Sequence, residues 1–285
     1  MRRSLLFMPA NNPAMLQNAD VFDADAVIFD LEDAVSVTEK DSARNLLHSY
    51  LVTHNNLPME VVVRINGLDT DYYKEDLDLI VSDNIDTIML PKARVEFLKE
   101  LDKLLTELEV KRNLKKKIKV IPIVELAQSV LEVETVASLP RVDGILLGAE
   151  DLSSDMEVTR TKEGREIEYP RARVAMACKA YQIDAIDTPF TDVTDQEGLR
   201  KDALHALELA MNAKSAIHPN QIDTINDVFL PQPKLIEWAK RVKKASDEAL
   251  EKGIGVFSLD GKMVDKPVMQ RAEKILAKAK KFGAL

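Results

Sequence analysis

A single cysteine, Cys178, stands in the 285 residues, so no intrachain disulfide can form and a cysteine-rich zinc site is excluded. It falls in the helical pattern RARVAMACKAY, which makes it a buried helix residue rather than a nucleophile. Basic residues are outnumbered by acidic ones, 39 to 48. A formal net charge of −9 argues against nucleic acid as the main partner, because phosphate binding needs a basic surface. Local basic stretches would still suit a phosphorylated ligand. No long uncharged apolar run is present to cross a membrane, and the opening MRRSLLFMPANNP lacks a signal-peptide core. The cytoplasm is the expected location. No internal repeat marks the chain.

What the chain does have is a series of short apolar runs, each followed by a helical pattern. The runs are Ser4–Met8, Ala26–Phe29, Glu60–Ile65, Asp86–Leu90, KVIPIV at 119–124, GILLG at 144–148, Asp184–Asp187 and Lys214–Ile217. Short apolar runs bounded by turn residues read as fully buried parallel strands. Helical stretches are expected from Pro13, over Thr38–Leu51, Tyr73–Val81, Val95–Lys111, Ala127–Leu139, Pro170–Tyr181 and Glu197–Asn212. Eight such units at this spacing predict a (β/α)₈ barrel over residues 1–230. Residues 231–285 form an extension: an amphipathic helix over Pro233–Lys252, a turn at Asp260-Gly261, and a terminal helix opened by Pro267. A closed eightfold ring has no place for it, so it packs outside the ring or on a neighbouring subunit.

In such a barrel, side chains at the carboxyl ends of the strands collect at one mouth. There stand Asn11, Glu32 with Asp33, Arg64, Lys92, Glu125, Asp151, Asp187 and His218. Glu125 and Asp151 end consecutive strands and could share a hard divalent cation such as Mg²⁺ through oxygen ligands. The alternative is that each caps the helix that follows. Arg64 interrupts VVVRI, a strand that should be buried on both faces, and needs a carboxylate or oxyanion partner. An ion pair with Glu32 or Asp33 would supply one. Lys92 suits a phosphate or carboxylate contact, and His218 either binds substrate or fixes a loop. The polar stretch Asp155–Tyr169, with Arg160, Lys162 and Arg165, reads as a long excursion at the mouth, either solvated or gripping phosphate.

These residues sit in stretches with a familiar arrangement. RRSLLFMPANN, FDLEDAV at 29–35, VRINGLD at 63–69, LPK at 90–92, LGAED at 147–151, HPNQID at 218–223 and DGKMVDKP at 260–267 occur in this order. Together they resemble the citrate lyase β subunit family, within the HpcH/HpaI group of metal-dependent acyl-CoA lyases and aldolases. The loop TRTKEGRE at 159–166 is more similar to the citrate lyase subunits than to the malyl-CoA lyases. The resemblance implies Mg²⁺ on Glu125 and Asp151, Arg64 at an acyl thioester, and Asp265 reaching into the active site of an adjacent subunit. It implies cleavage of a citryl thioester, carried on CoA or on an acyl carrier protein, to oxaloacetate and an acetyl thioester. Glu32 and Asp33 would support Arg64 and the metal. Expected partners are citrate lyase α and γ subunits and further copies of the chain, as a trimer or a multiple. A freestanding malyl-CoA or citramalyl-CoA lyase would need the same metal site. A catalytically inert barrel would show gaps in the charged set, and none is found.

Overall fold

The computed structural model describes residues 1–251, 253 and 255–285. It forms two compact units, Met1–Asn226 and Asp227–Leu285.

The first unit begins with β1 (Ser4–Pro9), α1 (Pro13–Gln17), β2 (Ala26–Asp30), α2 (Lys40–Thr53) and β3 (Glu60–Arg64). It continues through α3 (Tyr73–Ile80), β4 (Thr87–Leu90), α4 (Val95–Lys111), β5 (Lys119–Val124), α5 (Ala127–Leu131) and α6 (Val133–Ala137). It is completed by β6 (Gly144–Leu147), α7 (Ala149–Asp155), α8 (Glu168–Tyr181), β7 (Asp184–Asp187), α9 (Gln196–Glu208) and β8 (Ala213–Ala216). The eight strands pair in parallel, each with its neighbour in sequence, and β8 returns to β1. This is the (β/α)₈ barrel that the spacing of apolar runs predicts.

Three helical segments differ from expectation. The stretch Ala127–Leu139 is two helices, because the backbone at Glu132 leaves helical geometry (φ −99°, ψ 7°). The polar stretch after β6 is shorter than it reads, since α7 reaches Asp155 and α8 starts at Glu168 with Pro170 in its first turn. Proline is tolerated there because that N–H has no intrahelical partner. Helix α10 (Ile222–Phe229) was not anticipated, although Ile222, Ile225, Val228 and Phe229 repeat at helical spacing and are buried.

The alternation of the strands sorts side chains into two layers. Leu5, Ala26, Ile28, Val62, Met89, Ile121, Ile123, Leu146, Ile186 and Ala213 face inward as one apolar cluster. Each such burial contributes ~1.5–3 kcal/mol for the larger side chains. The intervening residues face the helices. Two of them, Asp187 and Lys214, join helix residues in an ionic group with no exposed member: Asp187 accepts from Arg171 (2.8 and 3.0 Å) and from Lys214 Nζ (2.6 Å), and Asp202 bridges the same two cations. Asp187 therefore lies behind the barrel wall and not at the mouth. At the amino end, Arg2 closes the barrel floor by reaching Glu60 (2.5 Å), Asp143 (2.7 Å) and Asp184 (2.8 Å).

The second unit holds α11 (Pro233–Glu251), the antiparallel pair β9 (Phe257–Leu259) and β10 (Lys262–Val264), and α12 (Lys266–Lys281). Lys252, the expected last residue of the first of these helices, lies outside the described residues. Ala239, Val242, Val264 and Ala272 form its small core, with Trp238 and Leu276 packed on it. Among the described residues no helix is long and apolar enough to cross a membrane.

Candidate active site

The inward parity of the strands, continued to their carboxyl ends, brings Phe7 on β1 and then, in place of apolar residues, Asp30 on β2, Arg64 on β3 and Glu125 just past β5. Asp30 and Arg64 are register partners on adjacent strands. The guanidinium grips Asp30 in two parallel bonds, Nε to Oδ1 at 2.6 Å and Nη2 to Oδ2 at 2.7 Å. The Phe7 ring covers the guanidinium, its centroid 5.0 Å from Cζ. Nη1 is left for Glu32, at 2.9 Å, and more distantly for the exposed Asp33, at 3.5 Å. Asp30 is thus the main partner of Arg64, ahead of the two acids that the sequence suggested.

The acidic turn after β2 is held from both sides. Asp30 accepts the backbone N–H groups of Glu32 (2.9 Å) and Ala34 (3.0 Å). From below, the buried ammonium of Lys40 donates to the carbonyls of Leu31 (2.8 Å) and Glu32 (2.6 Å). Burial pulls the Lys40 ammonium below the usual lysine range, against the opposing charges of the surrounding acids. Glu32 is itself buried. Its Oε2 lies at ion-pair distance from Arg64, but no N–H is aligned on it, so this buried oxygen accepts no hydrogen bond. Desolvation pushes the Glu32 carboxyl up to about 7; Arg64 opposes the shift, and Asp33 and Asp30 add to it.

Glu125 projects from the end of β5, 5% exposed. One oxygen, Oε1, accepts the backbone N–H of Lys92 at 2.5 Å. The other lies over Gly148, where an added Cβ would come within 2.6 Å of Oε2. Burial, with the nearby charges of Asp151 and Glu32, raises the Glu125 carboxyl to about 8. Asp151 sits exposed in the first turn of α7, three residues after Gly148 in the chain. The structure therefore brings Glu125, Asp151, Glu32 and Arg64 into one mouth.

A buried carboxyl raised by burial and by neighbouring acids, with an unsatisfied buried carboxylate oxygen beside it, suits a divalent cation. The donors are hard oxygens of the kind Mg²⁺ takes. Among the described residues no set of three or more His, Cys, Asp or Glu side chains encloses an ion by itself. Two carboxylates with the remaining positions left to water and substrate is the usual arrangement for Mg²⁺.

The other sequence candidates are placed as follows. Lys92 borders the mouth and acts on Glu32 through its charge; among the described residues its ammonium makes no ion pair or hydrogen bond. His218 is exposed and its Nδ1 accepts the N–H of Asn220 at 3.2 Å, capping its own turn. Asp265, in the second unit, caps α12 through the N–H of Val268 at 3.2 Å. In the loop after α7, Arg160 pairs with Glu150 and Glu166, and Lys162 with Asp192 (2.8 Å) and Asp195 (3.1 Å). These two cations meet carboxylates of the protein itself. Asn11 bonds Glu39 at 2.9 Å. Asp30, Lys40 and Phe7 were missed from sequence. For Asp30 and Phe7 the signal was present, since both keep the inward parity of their strands.

Fold and mouth together define a (β/α)₈ barrel whose rim gathers carboxylates around a guanidinium, a site for an anionic ligand and a cation. Residues 3–219 match the model of the HpcH/HpaI aldolase/citrate lyase family, and the chain belongs to that family. Among its relatives is the citrate lyase subunit beta of Leuconostoc mesenteroides, 41% identical over 97% of this chain and 92% of that one. The (3S)-malyl-CoA thioesterase of Cereibacter sphaeroides is 32% identical over 99% of this chain and 96% of its own length. Among solved structures, CitE from Mycobacterium tuberculosis in complex with magnesium, acetoacetate and coenzyme A superposes with a TM-score of 0.78. It is 30% identical and covers 98% of both chains.

Proposed function

We propose that the protein is a Mg²⁺-dependent carbon–carbon lyase that cleaves a citryl thioester, on CoA or an acyl carrier protein, to oxaloacetate and an acetyl thioester. It would act as the β subunit of a citrate lyase with α and γ subunits, in a homo-oligomeric arrangement. The observation that carries this reading is the convergence of Glu125, Asp151 and the Glu32–Arg64 pair on one barrel mouth. The 41% identity to a citrate lyase subunit, against 32% to the malyl-CoA thioesterase, favours the citryl over the malyl thioester.

Glu125 and Asp151 would hold Mg²⁺, which supplies Lewis-acid polarisation to oxygens of the substrate, an effect of several kcal/mol. The reaction is a reverse Claisen cleavage. A base takes the proton of the substrate hydroxyl, the carbon–carbon bond breaks as the ketone forms, and negative charge collects on the thioester oxygen as an enolate. Arg64 has one guanidinium edge committed to Asp30 and the other turned to the mouth. Its fixed charge would stabilise the enolate oxygen, a contribution of ~3 kcal/mol for a preorganised donor of this kind. Glu32 and Asp33 orient that edge. Lys92 and His218 would contact the anionic substrate, and Asp265 of a neighbouring copy would deliver the proton to the acetyl carbon.

The test is incubation of the purified protein with citryl-, malyl- and citramalyl-CoA, with and without Mg²⁺. Metal-dependent oxaloacetate from citryl-CoA supports the proposal. Glyoxylate or pyruvate from the other two thioesters would replace it with the freestanding malyl- or citramalyl-CoA lyase, and no turnover of any would leave an inert barrel.

A further inference from the structure

The Pro91-Lys92 turn after β4 has an unusual backbone. Lys92 lies in the left-handed region, at φ +47°. For residues other than glycine this conformation is disfavoured, and for β-branched residues it is a true outlier. Here it has a visible result. The turn aims the Lys92 N–H at Glu125 Oε1, 2.5 Å away, while the next N–H, of Ala93, bonds Ile123 O at 3.2 Å. Two adjacent donors of one turn thus fix both the main chain of β5 and the carboxylate just past its end. From the opposite side, Gly148 supplies a bare Cα: a Cβ there would approach Glu125 Oε2 to 2.6 Å, Glu125 Cβ to 2.7 Å and the Ile123 side chain to 2.8 Å. The ammonium of Lys92 contributes nothing to this clamp.

We infer that Lys92 and Gly148 are positioning residues for Glu125, with Lys92 acting through its main-chain N–H and left-handed backbone. They commit Oε1 to the protein and turn Oε2 toward the cation site. The inference rests on the proposed role of Glu125 as a Mg²⁺ ligand, and it separates two contributions of Lys92. The backbone sets the affinity for the cation, and the side chain is free to act on the substrate.

Two substitutions that both remove the ammonium but have opposite backbone preferences distinguish these contributions. Lys92→Gly adopts positive φ without cost and keeps the N–H. Lys92→Val keeps the N–H but resists positive φ. The measurement is binding of Mg²⁺ by calorimetry, and of Mn²⁺ by its free-ion paramagnetic resonance signal, in the absence of substrate. Thermal melts confirm that each variant is folded. The expected result is a Kd for Lys92→Gly within about twofold of the parent, and a Kd for Lys92→Val weaker by about tenfold, the size usual for loss of a group that orients a ligand. Gly148→Ala, which keeps Lys92 intact, weakens binding by a similar factor. Equal loss in Lys92→Gly and Lys92→Val, or parental affinity in both Lys92→Val and Gly148→Ala, overturns the inference while leaving the metal site standing. A parent protein that binds neither ion overturns the metal reading and this inference with it.

Discussion

Arg64 and Asp30 meet as register partners on adjacent strands, joined by two parallel charge-assisted bonds of 2.6 and 2.7 Å under the Phe7 ring. A flexible cation becomes a fixed one by this contact. Asp30 is 1% exposed and also gathers the Glu32 and Ala34 amides, so it ties the arginine to the acidic turn beside it. Breaking a buried ion pair from one side costs ~3–5 kcal/mol, because the remaining charge is left without a partner.

Asp30→Asn is therefore expected to lower stability by ~3 kcal/mol in urea unfolding. It should also lower kcat more than it raises KM, by a factor on the order of 10–100, since the guanidinium stays present but is no longer aimed. Arg64→Ala should cost about 10²–10³ in kcat, as for the removal of a preorganised donor. If Asp30→Asn raises KM alone, the pair serves substrate binding and not the reacting geometry.

The floor of the barrel offers a contrast far from the mouth. Arg2, 3% exposed, pairs with Glu60, Asp143 and Asp184, and its arrival holds the Asp143 carboxyl below the usual range against the opposing effect of burial. Arg2→Met removes the cation shared by the three acids, leaving Asp184 the amine of Met1 and Asp143 the ammonium of Lys119. The expected loss is ~3–5 kcal/mol of unfolding free energy, with kcat at a temperature where the variant stays folded within about twofold of the parent. A large drop in kcat for the folded variant would show that floor and mouth are coupled.

How much of this was legible in the sequence depends on which physical rule carries each part. The barrel was legible because eight short buried strands have a plain signature, and the strand ends gave Glu32, Arg64, Glu125 and Asp151 without coordinates. Asp187 looked equivalent to these but faces outward to Arg171 and Lys214, because it has the opposite parity to Ile186 on its strand. Reading parity as well as position would have excluded Asp187 and found Asp30. Lys40 had no such signal. It opens a helix in sequence, and only the fold brings its ammonium under the carbonyls of Leu31 and Glu32. The left-handed Lys92 was equally hidden, since no residue type announces a strained turn whose purpose is a contact with another strand.

Asp265 caps a helix and, in the proposed mechanism, would also deliver a proton; one substitution can separate the two roles. Its side chain caps α12 by accepting the Val268 N–H. Asparagine caps a helix about as well as aspartate but cannot exchange a proton. Asp265→Asn is expected to melt within a few degrees of the parent while kcat falls about 10²–10⁴, the range for loss of a general acid or base. Mixing it with an Arg64→Ala protein should restore activity if the two residues come from different copies. No recovery in the mixed oligomer would place them in the same chain's site or remove Asp265 from the reaction.

The acids of the mouth make the stability of the metal-free protein fall with rising pH. Glu125 is held at about 8 and Glu32 at about 7, both against an ordinary value of 4.5, chiefly by burial. Below 4.5 both carboxyls are protonated whether the chain is folded or not, and they exact no penalty. Between 4.5 and about 8 the folded protein keeps protons that the unfolded chain has lost, so each step up in pH favours unfolding. Above about 8 the penalty is complete. The melting temperature without metal should thus decline over this window, and Glu125→Gln should flatten the decline. With Glu125 in its proposed role as a ligand, Mg²⁺ would compete with the proton on that carboxylate, so its stabilising effect should be larger at about pH 8.5 than at about pH 6. A melting temperature that rises across the window, or a slope unchanged in Glu125→Gln, would mean that Glu125 is ionised throughout and that its buried charge is balanced by some group other than the cation.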